Sequence, residues 1–158
     1  MTEPLAYELV TELARRGETL ATAESLTAGL LAGTVADVPG ASAVLRGGVI
    51  VYAVDLKATL AGVSRDLLAE YGPVHADVAV QLADGARERC GATWGVGTTG
   101  VAGPESHGGA PAGTVYVGLS GPATRRAELL RLPGDRAAVR AGTVAAALRL
   151  LRGALPAG

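Results

Sequence analysis

Apolar positions recur at helical spacing near both ends of the chain and at strand spacing between them. Leu5, Leu9 and Leu13 predict an amphipathic helix over Pro4–Arg16 that Gly17 ends. Thr19–Ala23 reads as a short strand, and Glu24-Ser25-Leu26-Thr27 as the start of a helix continuing to about Val38. Leu30, Leu31, Thr34 and Val35 give that helix its period, and Pro39-Gly40 stops it. Gly47–Ala53 (GGVIVYA) predicts a buried strand, followed by a short helix over Leu56–Ala61. Ser64 suits the N-cap of a helix over Arg65–Tyr71, which Gly72-Pro73 breaks. His75–Cys90 reads as a helix with Val78, Leu82 and Ala86 inward, and Thr93–Thr98 as the next strand. Gly100–Gly113 is a loop rich in Gly and Pro. Thr114–Ser120 and Arg125–Leu132 predict a hairpin turned at Gly121-Pro122. Arg136–Leu155 predicts a long helix with Ala137, Ala141, Val144, Leu148 and Leu151 on one stripe.

Helices alternate with strands first, and a strand pair follows. The order predicts one α/β domain over 1–158, its sheet covered by helices on both faces, with at least one antiparallel strand. The 158 residues suffice for a core without disulfide or metal support, and 49% hydrophobic against 18% charged residues describes a globular chain. A net charge of −1 argues against binding nucleic acid through a phosphate-neutralising surface. The single cysteine, Cys90, forms no intramolecular disulfide, and with two distant histidines it makes no zinc site. The opening MTEPLAYELVTEL carries acids and no basic cluster, unlike a signal peptide, and no stretch has the length of a membrane span. The expectation is a cytoplasmic domain with no membrane or nucleic-acid partner.

Composition narrows the chemistry further. Phe and Asn are absent, and Lys57 is the one lysine among 14 basic residues, the rest being arginine. Arginine stays protonated in a protein, whereas a lysine amine can become neutral and act as a base. A lysine retained against such a bias is therefore a candidate for proton chemistry. Chance survival of a surface lysine is the plain alternative.

Three segments can carry function. Gly95-Val96-Gly97-Thr98-Thr99-Gly100 formally fits G-x-G-x-x-G, but the Pro- and Gly-rich stretch after it cannot open the helix that dinucleotide binding requires. The loop Gly100–Gly113 leaves many backbone N–H groups unobstructed and suits an anion or a ribose. Ser25 stands where a strand gives way to a helix, close to free amides that can hold an oxyanion, although serine in that place is commonly only an N-cap. Tyr52 and Lys57 follow a strand end, so all three side chains can meet at one sheet edge, where α/β folds place ligands. Serine with a neutral lysine is an established substitute for serine with histidine. His75 reads as a helix-start residue and His107 as a loop residue. Tyr7, Tyr71 and Trp94 read as packing residues. Arg136 and Arg140, one turn apart, could reach one anion.

Four ordered motifs resemble the CinA C-terminal domain family, the PncC-type nicotinamide mononucleotide amidases. They are Ala23–Gly29 (AESLTAG), Gly47–Lys57 (GGVIVYAVDLK), Gly100–Pro104 with Gly108-Gly109, Pro111 and Gly113–Leu119, and Pro133–Arg136 with Val139-Arg140. The resemblance covers about Leu5 to Leu155. It implies a three-layer α/β/α sandwich with a mixed, mostly parallel sheet. It implies hydrolysis of the carboxamide of nicotinamide mononucleotide to nicotinic acid mononucleotide and ammonia, with no metal and no organic cofactor. The nucleophile, lysine and tyrosine of the family fall on Ser25, Lys57 and Tyr52. Substrate contacts are expected from Leu26, Thr27, Ala28 and Gly29, from Gly100, Ala102, Gly103, Gly109 and Gly113, and from Arg136 and Arg140. The partner implied is a small nucleotide, with a homodimer as the simplest oligomer. The 158 residues hold no counterpart of the nucleotide-pyrophosphatase domain of longer members, so the expectation is the stand-alone form. Leu26 stands in place of the family's cysteine, Ala28 of its glycine, Val54 of its asparagine, Asp55 of its glutamate and His75 of its common serine. The competing reading is a nucleotide-binding module of the same fold without turnover; a third is an amidase for another carboxamide nucleotide.

Overall fold

The computed structural model describes residues 2–157. Helix α1 (Thr2–Arg16) leads into β1 (Leu20–Glu24) and α2 (Leu30–Ala36). A 3-10 turn at Ala41–Ala43 precedes β2 (Leu45–Ile50), followed by α3 (Val54–Ala61), α4 (Arg65–Tyr71) and α5 (Ala76–Cys90). The chain ends with β3 (Trp94–Gly100), β4 (Thr114–Ser120), β5 (Arg125–Arg131) and α6 (Arg136–Ala154). The strands form one five-stranded sheet in the order β2-β1-β3-β4-β5. The pairs β1–β2 and β1–β3 are parallel, and the pairs β3–β4 and β4–β5 are antiparallel. Four strands thus run one way and β4 alone runs against them, giving the mixed, mostly parallel sheet expected.

The sheet separates two apolar layers, as the three-layer expectation requires. On one face Leu9 and Leu13 of α1, Leu31 and Val35 of α2, and Val144, Leu148 and Leu151 of α6 pack on Val96, Val115 and Leu119. On the other face Val51, Ala61, Val63, Val78, Leu82 and Ala86 enclose Ala21 and Ala23. The central strands β1, β3 and β4 are almost wholly buried, whereas β2 and β5 are partly exposed edges. Among the described residues no helix is long and apolar enough to cross a membrane.

Glycine sets how closely α5 lies on the sheet. A Cβ on Gly97 would come 2.6 Å from the Ala79 carbonyl oxygen, and one on Gly118 would come 2.0 Å from it. The Gly95-x-Gly97 pair therefore serves helix–sheet packing within β3, the physical reason that it sits in a strand and not in a phosphate loop.

Several expectations are corrected. The buried strand Gly47–Ala53 is an edge strand of alternating exposure that ends at Ile50, because only one side of its backbone has a neighbour. Ala137 and Ala141 face outward on α6; its buried side is carried by Val139, Thr143, Val144, Ala147, Leu148 and Leu151. Tyr7 and Tyr71 are exposed, and of the three aromatics taken as packing residues only Trp94 is buried. Ser64 does cap α4, accepting from the Leu67 amide, and Asp135 caps α6, accepting from the Ala138 amide.

Candidate active site

The parallel strands β1, β2 and β3 all end at one edge of the sheet, and the residues leaving them build a cavity of about 520 Å3. Ser25 and Leu26 follow β1, Tyr52, Val54 and Lys57 follow β2, and Thr99 to His107 run from the end of β3 into the glycine-rich loop. Pro73, Val74 and Arg136 complete the wall.

Ser25 does not cap a helix. Residues 25–29 form a turn, and α2 begins only at Leu30 with Gly29 as its N-cap. The expectation of a helix starting at Glu24 fails because Ala28 (φ 45°) and Gly29 (φ 93°) both take the left-handed conformation, which a helix cannot contain. Ala28 is the single described non-glycine residue with positive φ. The turn is held on two sides. The Ser25 amide donates to the Thr98 carbonyl at 3.1 Å, and the Thr27 and Thr98 hydroxyls share a bond of 2.9 Å. From α6, Arg140 donates to the carbonyls of Leu26 at 2.9 Å and Thr27 at 3.3 Å.

Lys57 lies in the first turn of α3 and is 1% exposed. Its Nζ is 2.9 Å from Ser25 Oγ, 2.7 Å from the Val51 carbonyl oxygen and 3.1 Å from that of Tyr52. No carboxylate pairs with it among the described residues. Burial without a counter-charge disfavours the ammonium form and pulls the amine from 10.5 to about 8. As an ammonium, Nζ donates to all three oxygens; once neutral, it keeps two N–H groups for the two carbonyls and has its lone pair left for the serine hydroxyl. That is the arrangement in which an amine can take the hydroxyl proton.

The amides around Ser25 are not equivalent. The Ala28 amide donates to the Ser25 carbonyl at 3.1 Å, so it is unavailable to an oxyanion. Those of Leu26 and Thr27 donate to no acceptor among the described residues. In the first turn of α2 the Leu30 amide donates to the Thr27 carbonyl, and those of Leu31 and Ala32 are taken by the Glu24 carboxylate.

The other expected residues divide. Gly100, Ala102 and Gly103 line the cavity; Gly109 and Gly113 do not. Gly113 is buried where a Cβ would come 2.1 Å from the Leu132 carbonyl oxygen, so its place in the loop is a packing requirement. Thr27, Ala28 and Gly29 belong to the turn and not to the cavity wall. Tyr52 is 54% exposed, and its hydroxyl accepts from Arg136 Nη2 at 2.6 Å; only its backbone carbonyl meets Lys57. Arg136 also donates to the Gly103 carbonyl at 2.7 Å, spanning the cavity rim, whereas Arg140 is spent on the turn. The two arginines do not converge on one point. His75 caps α5 through its Nδ1, which accepts from the Asp77 amide at 3.1 Å, and stacks on Tyr71.

Sequence reasoning did not single out Glu24, Thr98, Thr99 or Pro73. Thr99 is buried and donates to the Pro73 carbonyl at 2.7 Å, fixing the α4–α5 connection to the cavity wall. No periodicity marks such contacts, since they depend on which strand ends are neighbours.

A family model described as CinA C-terminal domain matches residues 2–155. The chain is 50% identical over 140 residues to a CinA-like protein of Frankia casuarinae, covering 89% of this chain and 32% of that protein. It is 49% identical over 156 residues to a CinA-like protein of Anaeromyxobacter sp. strain Fw109-5, covering 97% of this chain and 38% of that protein. The chain spans about a third of the length of these curated relatives. Among crystal structures, a competence-damaged protein (CinA) superfamily protein from Escherichia coli matches with TM-score 0.95 at 31% identity, covering 98% of this chain and 91% of that one. The competence/damage inducible protein CihA from Agrobacterium tumefaciens matches with TM-score 0.92 at 33% identity, covering 96% and 93%. The order of the motifs, the sheet topology and these likenesses agree, and the chain belongs to the CinA C-terminal domain family.

Proposed function

We propose that this domain is an amidase that hydrolyses the carboxamide of nicotinamide mononucleotide, with Ser25 as nucleophile and Lys57 as general base. The substrate is the one the family resemblance implies. The chemistry is supported chiefly by the buried, uncompensated Lys57 amine 2.9 Å from Ser25 Oγ. A structural lysine in such a place would be expected to carry a carboxylate partner; this one faces two carbonyls and a hydroxyl.

Ser25 Oγ attacks the carboxamide carbon as its proton passes to Lys57 Nζ. The carbonyl π pair moves onto oxygen, and the Leu26 and Thr27 amides stabilise the resulting oxyanion. Collapse of the tetrahedral species breaks the C–N bond, and Lys57 returns the proton to the departing ammonia. Water, deprotonated by the same amine, then attacks the acyl ester, and the second tetrahedral species collapses by breaking the bond to Ser25 Oγ, which takes the proton back from Lys57. The products are nicotinic acid mononucleotide and free Ser25. A cavity of about 520 Å3 lies within the usual range for small-ligand sites, about 300–1,000 Å3. Arg136 at the rim offers the cation for the phosphate.

The test is ammonia release from nicotinamide mononucleotide by the wild type, Ser25→Ala and Lys57→Arg. Release by the wild type alone supports the assignment. Binding without release in the wild type would favour the nucleotide-binding module, and release only from another carboxamide nucleotide would reassign the substrate.

A further inference from the structure

The proposed mechanism leaves one fully buried ionisable group unused. Glu24 is 0% exposed, ends β1 and immediately precedes Ser25. A carboxylate out of water is unfavourable unless its lone pairs are filled. No basic side chain partners it among the described residues. Its acceptor sites are filled by the Leu31 amide at 2.8 Å, the Ala32 amide at 3.1 Å and the Thr22 hydroxyl at 3.1 Å. The first two donors are the free amides at the start of α2, whose N-cap, Gly29, has no side chain to offer them.

These bonds close a ring from residue 24 to residues 31 and 32, and the segment inside it is the turn that carries Ser25. The near end of the ring is rigid. Glu24 pairs with Ile50 and Thr98 in the sheet, and its carbonyl accepts from the Val51 amide at 2.8 Å. Its side chain therefore ties the far end of the turn to the sheet. Between the two ends lie the left-handed Ala28 and the free Leu26 and Thr27 amides. A non-glycine residue holds that conformation only where its surroundings impose it.

We propose that Glu24 is a positioning residue for the nucleophile: by capping α2 with its carboxylate, it closes the turn that presents Ser25 and the Leu26 and Thr27 amides to the substrate. The role rests on the serine-nucleophile reading given above.

Glu24→Gln is the informative variant. It preserves shape but sets an NH2 group against one of two amide donors, so one bond is lost and the turn shifts. The folded variant, checked by thermal melting, should show kcat on nicotinamide mononucleotide about tenfold or more below wild type, with KM within about twofold. The pH midpoint should stay, because the three Lys57 contacts are untouched. Labelling of Ser25 by a fluorophosphonate probe, followed by mass spectrometry, should slow in parallel and needs no knowledge of the substrate. Hydrogen exchange of the wild type should find the Leu31 and Ala32 amides strongly protected. A folded Glu24→Gln protein labelled at the wild-type rate would overturn the role, as would fast exchange at both amides in the wild type. Wild-type labelling without ammonia release would refute only the substrate. Absence of Ser25 labelling in the wild type would remove the serine nucleophile and the positioning role with it.

Discussion

The amine of Lys57 lies 2.9 Å from the hydroxyl of Ser25 across 32 positions of sequence. One is placed by the end of β1 and the other by the first turn of α3, and parallel pairing of β1 with β2 brings them together. The contact is dry on the lysine side, since Lys57 is 1% exposed, and burial rather than a neighbouring charge sets its proton affinity.

Turnover should rise with pH. The base must be neutral to accept a proton, and the amine is pulled down to about 8. The rate of ammonia release is expected to climb through a midpoint near that value and then level. Lys57→Arg cannot deprotonate and should lose about a hundredfold or more, with no such limb. A pH series of single-turnover rates on the two proteins decides this.

The same shift governs stability with the following sign. The folded protein holds the Lys57 proton less tightly than the unfolded chain. The resulting penalty is full below pH 8, shrinks as pH rises from about 8 to 10.5, and is gone above that. Measured against Lys57→Met by denaturant titration, the wild type should therefore gain relative stability across this window. A difference between the two proteins that stays constant from pH 7 to 10 would contradict the burial of the charge.

Ser25→Ala should leave folding nearly intact while abolishing turnover. The Ser25 side chain has one hydrogen bond, that with Lys57, so its removal should cost about 1 kcal/mol. Thermal unfolding beside an ammonia assay separates the two effects.

Ala28→Gly should stabilise the protein by up to about 1 kcal/mol. The residue sits at φ 45°, a conformation that costs an L side chain about 1–2 kcal/mol, less the entropy glycine adds to the unfolded chain. Ala28→Val should destabilise by more than glycine stabilises. Chemical denaturation of the three proteins tests the order.

Arg136→Ala should act on binding. The side chain bridges the Tyr52 hydroxyl and the Gly103 carbonyl at the rim and is distant in bonding from Ser25 and Lys57. KM for nicotinamide mononucleotide is expected to rise about tenfold with kcat within a few-fold. A loss confined to kcat would place Arg136 in the chemistry instead.

Periodicity and punctuation made the elements legible, because helix and strand spacing are local properties of the chain. Ser64 was readable as a cap, and α5 and β4 as elements, on that ground alone. The turn 25–29 was not, since the same residues read as a helix start. What breaks that helix is a pair of left-handed residues in a turn held by Thr98 and Arg140, whose bonds to it span at least 71 and 113 positions. The burial of β2 was misread for a related reason: an apolar run does not say whether a strand has one neighbour or two.

By itself the sequence determined the alternation of helices and strands, the family motifs, and the chemical possibility carried by a single lysine among arginines. Those follow from residue type and short-range spacing. The tertiary structure alone decided which strand ends became neighbours. It thereby decided that Lys57 is buried against Ser25, that Arg140 is spent on the turn that carries Ser25 while Arg136 spans the rim, and that Glu24 accepts from a helix amide seven residues ahead. The physical reason is that burial and hydrogen bonding act between groups close in space, and sheet pairing sets that closeness independently of separation along the chain.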